Sequence, residues 1–506
     1  MISRAAILWM LGIASMDAMP DNLDILRFTN GDQLHGAFQG IKGGTQVIWR
    51  RDDLSEVAEL KTTQLRSIVL HGGRPLKGLA SLSNAVLANG DRIPGTITAI
   101  DDEVVTLNTP CAGILRVPRR QIATLCPNPL GGRVYYHGPF SEDEWKMVHP
   151  SFRDGLPAVK PGEKDAEDQP GRWIFSGSAW YWSSKRLGTA LVRDSGMSDC
   201  SVLSFDIAWK NQLCLAVSFL ADFARPKPLD DEKKNGNKDA IAQFRPITPG
   251  DFSQLPRVFG NSYVLQLYSN YIMLNRTRVD ADGNPSFRRI QLNNNNVRLS
   301  ERNQARIELR VNRLTGAVAL FIDGEFTTQW TDNEAVDGVD GKSTIHGSGF
   351  GFMVQGAETS VRISDVIVSE WNGMPDSARS LQLDNQDIIL MSNGTDRFAG
   401  RLGKLDEGGR VLFKGKHGDL HVPLDEIAEI SFAGQTQVPV VEEVAENLTI
   451  RFSPFGLITG RPISGDASTL EIDSAILGKL KVSMDSAVFL EFNTSKQKLD
   501  DWYGEF

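Results

Sequence analysis

A chain of 506 residues exceeds what one hydrophobic core supports, so several domains are expected. Its 41% hydrophobic and 23% charged residues exclude a disordered or collagen-like polymer. The net charge of -9 argues against a polyanionic partner, which needs a basic face.

The chain opens with Arg4, an apolar run from Ala5 to Ala14, and small residues at Ala14, Ser15 and Ala18. That is the layout of a secretory signal peptide over residues 1–18, too short to span a bilayer. No cysteine lies near the cleavage point, and no later run is long and apolar enough for a membrane helix. A soluble secreted or periplasmic protein is therefore expected, with a cell-envelope setting.

One pattern of about fifty residues is then written four times, at 22–71, 82–128, 382–432 and 446–493. An apolar strand leads to an Asn-Gly turn, a glycine follows, and a Gly-x-Leu-x-Val-Pro-like strand closes the unit. The second copy reads Leu87, Asn89, Gly90, Gly95, Ile97, then Gly113, Leu115, Val117 and Pro118; the third reads Leu390, Asn393, Gly394, Gly400, Leu402, then Gly418, Leu420, Val422 and Pro423. The first keeps Asn30, Gly31 and Gly36, and the fourth keeps Gly460 with a degenerate turn. Such alternation predicts small, strongly bent antiparallel sheets, with Gly36, Gly95, Gly400 and Gly460 at sharp bends. On Leu87, Gly90, Gly95, Ile97 and Asp101 the unit resembles the Sm-like small β-barrels, and the resemblance implies fold style only; nucleic-acid binding is not carried over.

The larger region at 133–372 carries strands at Val202–Trp209, Leu213–Leu220, Tyr263–Tyr268, Tyr271–Arg276, Arg306–Asn312, Val318–Ile322, Gly349–Val354 and Val361–Val368. Their spacing and the Asp323-Gly324 turn predict a large β-sandwich. The run from Ile307 to Gly324, the later Gly349–Phe352 strand and the closing Ile363–Val368 strand resemble laminin G-like and concanavalin A-like jelly rolls. The expected fold is thus all-β, a central sandwich with two pairs of small SH3/Sm-like barrels at the N- and C-terminal ends. Residues 150–171 and 225–256 read as charged, Pro-rich surface segments, the second favouring disorder over function. Milder breaks fall at 372–380 and 433–446.

Cys200 and Cys214 flank a turn expected at Lys210–Gln212 and would not lie opposite each other; Cys111 and Cys126 either staple the second repeat or stay free. Hydrolases of the sandwich fold need two carboxylates across a sugar bond. Asp206 and Glu308 stand alone on their strands, while the alternating Glu471 and Asp473 lie in the fourth repeat. His417 and His421 sit in a hairpin rather than on a helix, so a zinc site is not expected. Asp280, Asp282 and Asn284 offer oxygen donors to calcium, but a plain turn is the better reading, and no other cofactor is indicated. No Gly-x-Ser-x-Gly elbow or Walker loop occurs.

Trp209 and Trp371 are expected in the core, and Trp182, beside Ser183 and Ser184, on the surface. One face of the strand near 263–270 is polar at Gln266, Tyr268 and Asn270, and Asn275 or Arg276 adds donors from the next strand. Gln266, Tyr268, Asn270, Arg276 and Trp182 are therefore the candidate ligand-binding residues, against the plainer reading of a solvated sheet face. The expected function is non-enzymatic binding or scaffolding, with a glycan or cell-envelope protein as partner and the barrels as docking or self-association surfaces. A glycan hydrolase is the enzyme-class alternative, and nucleic-acid binding by the barrels is the least favoured.

Overall fold

The computed structural model describes residues 23–30, 32–80, 83–150, 156, 170–176, 179–226, 252–290, 297, 299–333, 345–373, 385–416, 418–433 and 447–492. The signal-peptide stretch, His417 and most of the two long charged segments lie outside them.

The protein is all-β. The first repeat comprises β1 (Asp24–Phe28), β2 (Gln33–Lys42), β3 (Gln46–Arg50), β4 (Ala58–Lys61) and β5 (Leu65–Val69). The second comprises β6 (Asn84–Leu87), β7 (Arg92–Pro94), β8 (Thr96–Ile100), β9 (Val104–Thr109), β10 (Gly113–Pro118) and β11 (Ile122–Cys126). In each, strands pair in a meander, and the last strand returns to the first through a single 3₁₀ turn, Thr62–Gln64 or Arg119–Gln121. The Asn of the Asn-Gly turn acts as a local acceptor: Asn89 Oδ1 takes the Asp91 N–H at 3.1 Å, as Asn30 Oδ1 takes that of Asp32. The glycine on the following strand is needed for close approach. A Cβ at Gly36 would stand 2.4 Å from the Arg50 carbonyl oxygen, and one at Gly400 2.3 Å from that of Lys414.

The sandwich contributes β12 (Val134–Gly138), β13 (Lys146–Val148), β14 (Ile174–Ser176), β15 (Ala179–Trp182), β16 (Ala190–Arg193), β17 (Cys200–Lys210), β18 (Cys214–Ala221) and β19 (Ser262–Tyr268). It continues with β20 (Ile272–Val279), β21 (Pro285–Ile290), β22 (Gln304–Asn312), β23 (Ala317–Ile322), β24 (Glu325–Thr331), β25 (Gly349–Val354) and β26 (Ser360–Glu370). One sheet runs β14-β15-β26-β17-β22-β23-β24, with β12 also on β26; the other runs β13-β16-β25-β18-β19-β20-β21. Between them lies a core that includes Phe205, Trp209, Leu265, Ile307, Phe352 and Ile363. The Asp323-Gly324 turn has φ of 54° and 83°, the mirror-image hairpin geometry that suits strand twist. The expected hairpin at Lys210–Gln212 is instead a crossing between sheets, since β17 and β18 belong to different ones. Trp371 is only half-buried.

The third repeat holds β27 (Asp387–Met391), β28 (Arg397–Leu405), β29 (Arg410–Gly415), β30 (Gly418–Pro423) and β31 (Ile427–Ser431). The fourth holds β32 (Leu448–Phe452), β33 (Leu457–Asp466), β34 (Thr469–Ser474), β35 (Gly478–Ser483) and β36 (Ala487–Phe492). Repeats neighbouring in sequence do not share these last-strand edges. The first repeat joins the fourth through β5 and β36, with Ile68 opposite Leu490; the second joins the third through β11 and β31, with Leu125 opposite Ile430. All four share one core containing Leu26, Trp49, Leu107, Phe413, Ile450 and Leu490. Units this small bury little alone, and joining the open edges of their last strands also removes unpaired backbone groups. The sandwich abuts this block where Phe140 stacks on Phe489 at 5.4 Å.

Candidate functional site

On β19 alternate side chains face opposite ways. Tyr263, Leu265 and Leu267 enter the core, so Gln266 and Tyr268 lie on the outer face. Gln266 Nε2 donates to Gln355 Oε1 at 2.6 Å and to Tyr268 Oη at 3.2 Å, while Asn275 Nδ2 donates to Gln266 Oε1 at 2.6 Å. Gln266, Asn275 and Gln355 are 1, 4 and 5% exposed, so these amides satisfy one another in a sealed network. What reaches solvent is its rim: Asn270 in the turn, and Tyr271, 43% exposed and stacked on Tyr268 at 4.3 Å.

Two candidates are misplaced by the sequence reading. Arg276 has the parity of Ile272 and Leu274, so it faces the opposite way from Gln266 and pairs with buried Asp332 at 3.1 Å. Tyr263 and Arg288 bond the same carboxylate. Trp182 is fully buried, 5.4 Å from Trp173, because Trp180 and Trp182 share the inward parity of β15 and the strand pairs with β26 inside the sheet. Its polar neighbours Ser183 and Ser184 merely follow the strand end.

A better-formed site crosses the outer face of the other sheet. Arg306 on β22 is its hub: Nη1 donates to Asp206 Oδ1 at 2.8 Å and Asp365 Oδ2 at 2.7 Å, and Nη2 donates to Ser204 Oγ at 3.0 Å. His137 Nε2 lies 2.9 Å from Asp365 Oδ1. Asp365 is aimed outward by a bulge: its φ of 45° inserts an extra residue between inward-facing Ile363 and Val366. Four residues along β22 from Arg306, Arg310 Nε bonds Glu308 Oε1 at 2.7 Å, and its guanidinium lies 4.1 Å above the Phe321 ring. Phe321 meets Phe326 edge-on at 5.6 Å, and Phe326 is 60% exposed. The result is a strip from β12 to β24 whose charged side chains are half-buried and held by one another, ending in an exposed aromatic ring.

Asp206 and Asp365 do meet across strands, on one nitrogen of Arg306. A glycosidase pair would need one of the two protonated and the other ionised. Burial works against ionisation of Asp365, yet the hydrogen bond and charge of His137, with the charges of Arg306 and Arg451, outweigh it and hold the carboxyl well below its usual range. Both Asp206 and Asp365 are paired with Arg306. The sequence signal for this strip was the outward triplet Arg306, Glu308, Arg310, of which only the lone acid was noticed; the broken alternation at Ser364 and Asp365 announced the bulge.

The other constellations resolve as local structure. Asp280 accepts the Asn284 backbone N–H at 2.7 Å and its side-chain amide at 3.0 Å, a closed turn. Glu471 and Asp473 face Lys481 and Lys479 across a surface ladder. All four cysteines are free thiols, and burial pushes the Cys111 and Cys214 thiols up to about 11. Among the described residues no three metal-ligating side chains are grouped, and no helix is long and apolar enough to cross a membrane.

No protein-family model matches the chain, and no curated protein does. Among solved structures, the carbohydrate-binding module CBM66 from Bacillus subtilis aligns at 12% identity over 40% of this chain and 92% of its own, with a TM-score of 0.24. The legume lectin-like domain from Entamoeba histolytica aligns at 10% over 40 and 88%, TM-score 0.26, and β-agarase A from Zobellia galactanivorans at 7% over 49 and 92%, TM-score 0.28. Superpositions this loose bear no weight, and the architecture rests on the chain's own sheets.

Proposed function

We propose that this chain is a secreted or periplasmic non-enzymatic binding protein that holds a glycan against the outer face of the β14–β24 sheet, with the four repeats as its scaffold. The observation that carries the reading is the Arg306–Glu308–Arg310 strip ending at Phe326. Glycan recognition needs hydrogen-bonding groups fixed before the ligand arrives, plus a flat apolar face for a sugar ring. The strip supplies both: its guanidinium and carboxylate groups lock one another, and Phe326 is available for stacking. A catalytic role is opposed by geometry: the carboxylates of Asp206 and Asp365 are both engaged by one guanidinium nitrogen of Arg306.

The test is a glycan and peptide array probed with the full chain, then calorimetry on hits with the wild type, Phe326→Ala and Tyr271→Ala. Glycan hits weakened tenfold or more by Phe326→Ala, and unchanged by Tyr271→Ala, are expected. Reproducible release of sugar from a hit would overturn the non-enzymatic reading; binding lost only in Tyr271→Ala would move the site to the opposite sheet.

A further inference from the structure

We infer that the ligand of the Arg306 strip is an uncharged oligosaccharide rather than an acidic one, an inference that rests on the glycan reading above. An arginine-bearing face usually suggests an anionic ligand, since guanidinium groups match carboxylate and sulfate geometry. Here those groups are already matched from within. Arg306 is shared by two aspartates at 2.8 and 2.7 Å, and Arg310 is bonded to Glu308 at 2.7 Å. The strip thus sets Asp206, Asp365 and Glu308 against Arg306 and Arg310. A uronate or sulfate would have to displace a resident carboxylate while being repelled by the other two, and separating one partner of a half-buried ion pair is costly. An ammonium-bearing ligand meets the same obstacle from the arginines.

A hydroxyl group faces neither penalty. It both donates and accepts, so it can add to a carboxylate that already holds a guanidinium without breaking the pair. Glu308, with its side chain 28% exposed, is the carboxylate best placed to accept such a bond. Strands lie about 4.8 Å apart, so Phe326 on β24 is roughly 10 Å from β22. A sugar chain that begins stacked on Phe326 must therefore span two strand spacings to lie over Glu308 on β22, which calls for a ligand of about three rings or more. Because no net charge is exchanged, binding should be nearly independent of salt.

Calorimetry with the full chain would compare cellotetraose, mannotetraose and xylotetraose with tetragalacturonate, at 50 and 500 mM NaCl. The expected result is binding of at least one neutral tetrasaccharide, changing less than twofold between the salts and weakened tenfold or more in Phe326→Ala. Tetragalacturonate should not bind. Phe326 is exposed, so its truncation leaves the fold intact, which an unchanged melting curve would verify. Binding of tetragalacturonate alone, weakening tenfold at high salt, would overturn this inference and leave the glycan reading standing. Salt-independent neutral binding that ignores Phe326→Ala would also overturn it, by removing the ligand from the strip. No binding of any oligosaccharide, on the array or in solution, would overturn both.

Discussion

Removing the Asp387 carboxylate should unlock the junction of the second and third repeats. Asp387 is 5% exposed and accepts three hydrogen bonds: the Leu402 N–H at 2.7 Å, the Ala433 N–H at 2.8 Å and Arg119 Nη2 at 2.8 Å. Asp387→Ala leaves two backbone donors without this acceptor, at about 1–3 kcal/mol each, and strips a largely buried arginine of its counter-charge. These costs overlap rather than add, and about 4 kcal/mol is expected. Asp24 is the internal control, holding the equivalent place in the first repeat. It accepts the Phe38 and His71 N–H groups at 2.8 and 2.7 Å without an arginine, so Asp24→Ala should cost about 2 kcal/mol. A single unfolding energy is ill-defined for a chain of several domains, so native-state hydrogen exchange is the appropriate assay. The Leu402 and Ala433 amides should exchange about a thousandfold faster in Asp387→Ala, since each 1.4 kcal/mol is a factor of ten. A double-mutant cycle with Arg119→Met should return a coupling of about 1–3 kcal/mol. Unchanged protection at Leu402, or no coupling to Arg119, would refute the view that this carboxylate ties the two repeats together.

Asp91, 1% exposed against the fourth repeat, has its carboxyl raised first by burial, opposed by hydrogen bonds from Asn89 and Thr459. Its folded pKa lies above its unfolded one, so its contribution is present at low pH and lost as pH rises through the folded value; Asp91→Asn should stabilise the protein at pH 7 and give no gain near pH 3. Equal gains at both, in melts over pH 3–7, would show that ionisation is not the cause. Gly40→Ala should open the contact between the first and fourth repeats, because its φ is 138° and an added Cβ would stand 2.1 Å from the Gly465 carbonyl oxygen; exchange at the adjacent Ile41 reads the outcome, and unchanged protection would count against it. Cys111 and Cys214 should resist iodoacetamide at pH 8 in the native protein and react on unfolding, as mass spectrometry would register; native labelling of Cys111 would contradict its burial.

Much of the fold was legible because alternation carries its own face assignment. On β17 Trp209 is expected in the core and lies there, sharing one inward parity with Phe205 and Ile207. The candidate site was less legible. Gln266 faces away from the core, but its near-complete burial depends on Asn275 and Gln355, which arrive from other strands. Trp182 was misjudged because adjacent serines said nothing about the strand it would pair with. Asp206 stands alone on its own strand because its partner, Arg306, lies 100 residues away and is shared, through the bulge, with Asp365.

The sequence by itself determined the all-β character, local hairpins such as that at Asp323-Gly324, and the fourfold strand pattern, since period-two alternation and turn chemistry are local properties of the chain. Only the tertiary structure decided that the repeats pair first with fourth and second with third, and that a strip of mutually paired charges crosses one sandwich face. Both depend on which distant strand edges meet, where the gain comes from burying apolar surface and closing unpaired ladders that no local pattern specifies.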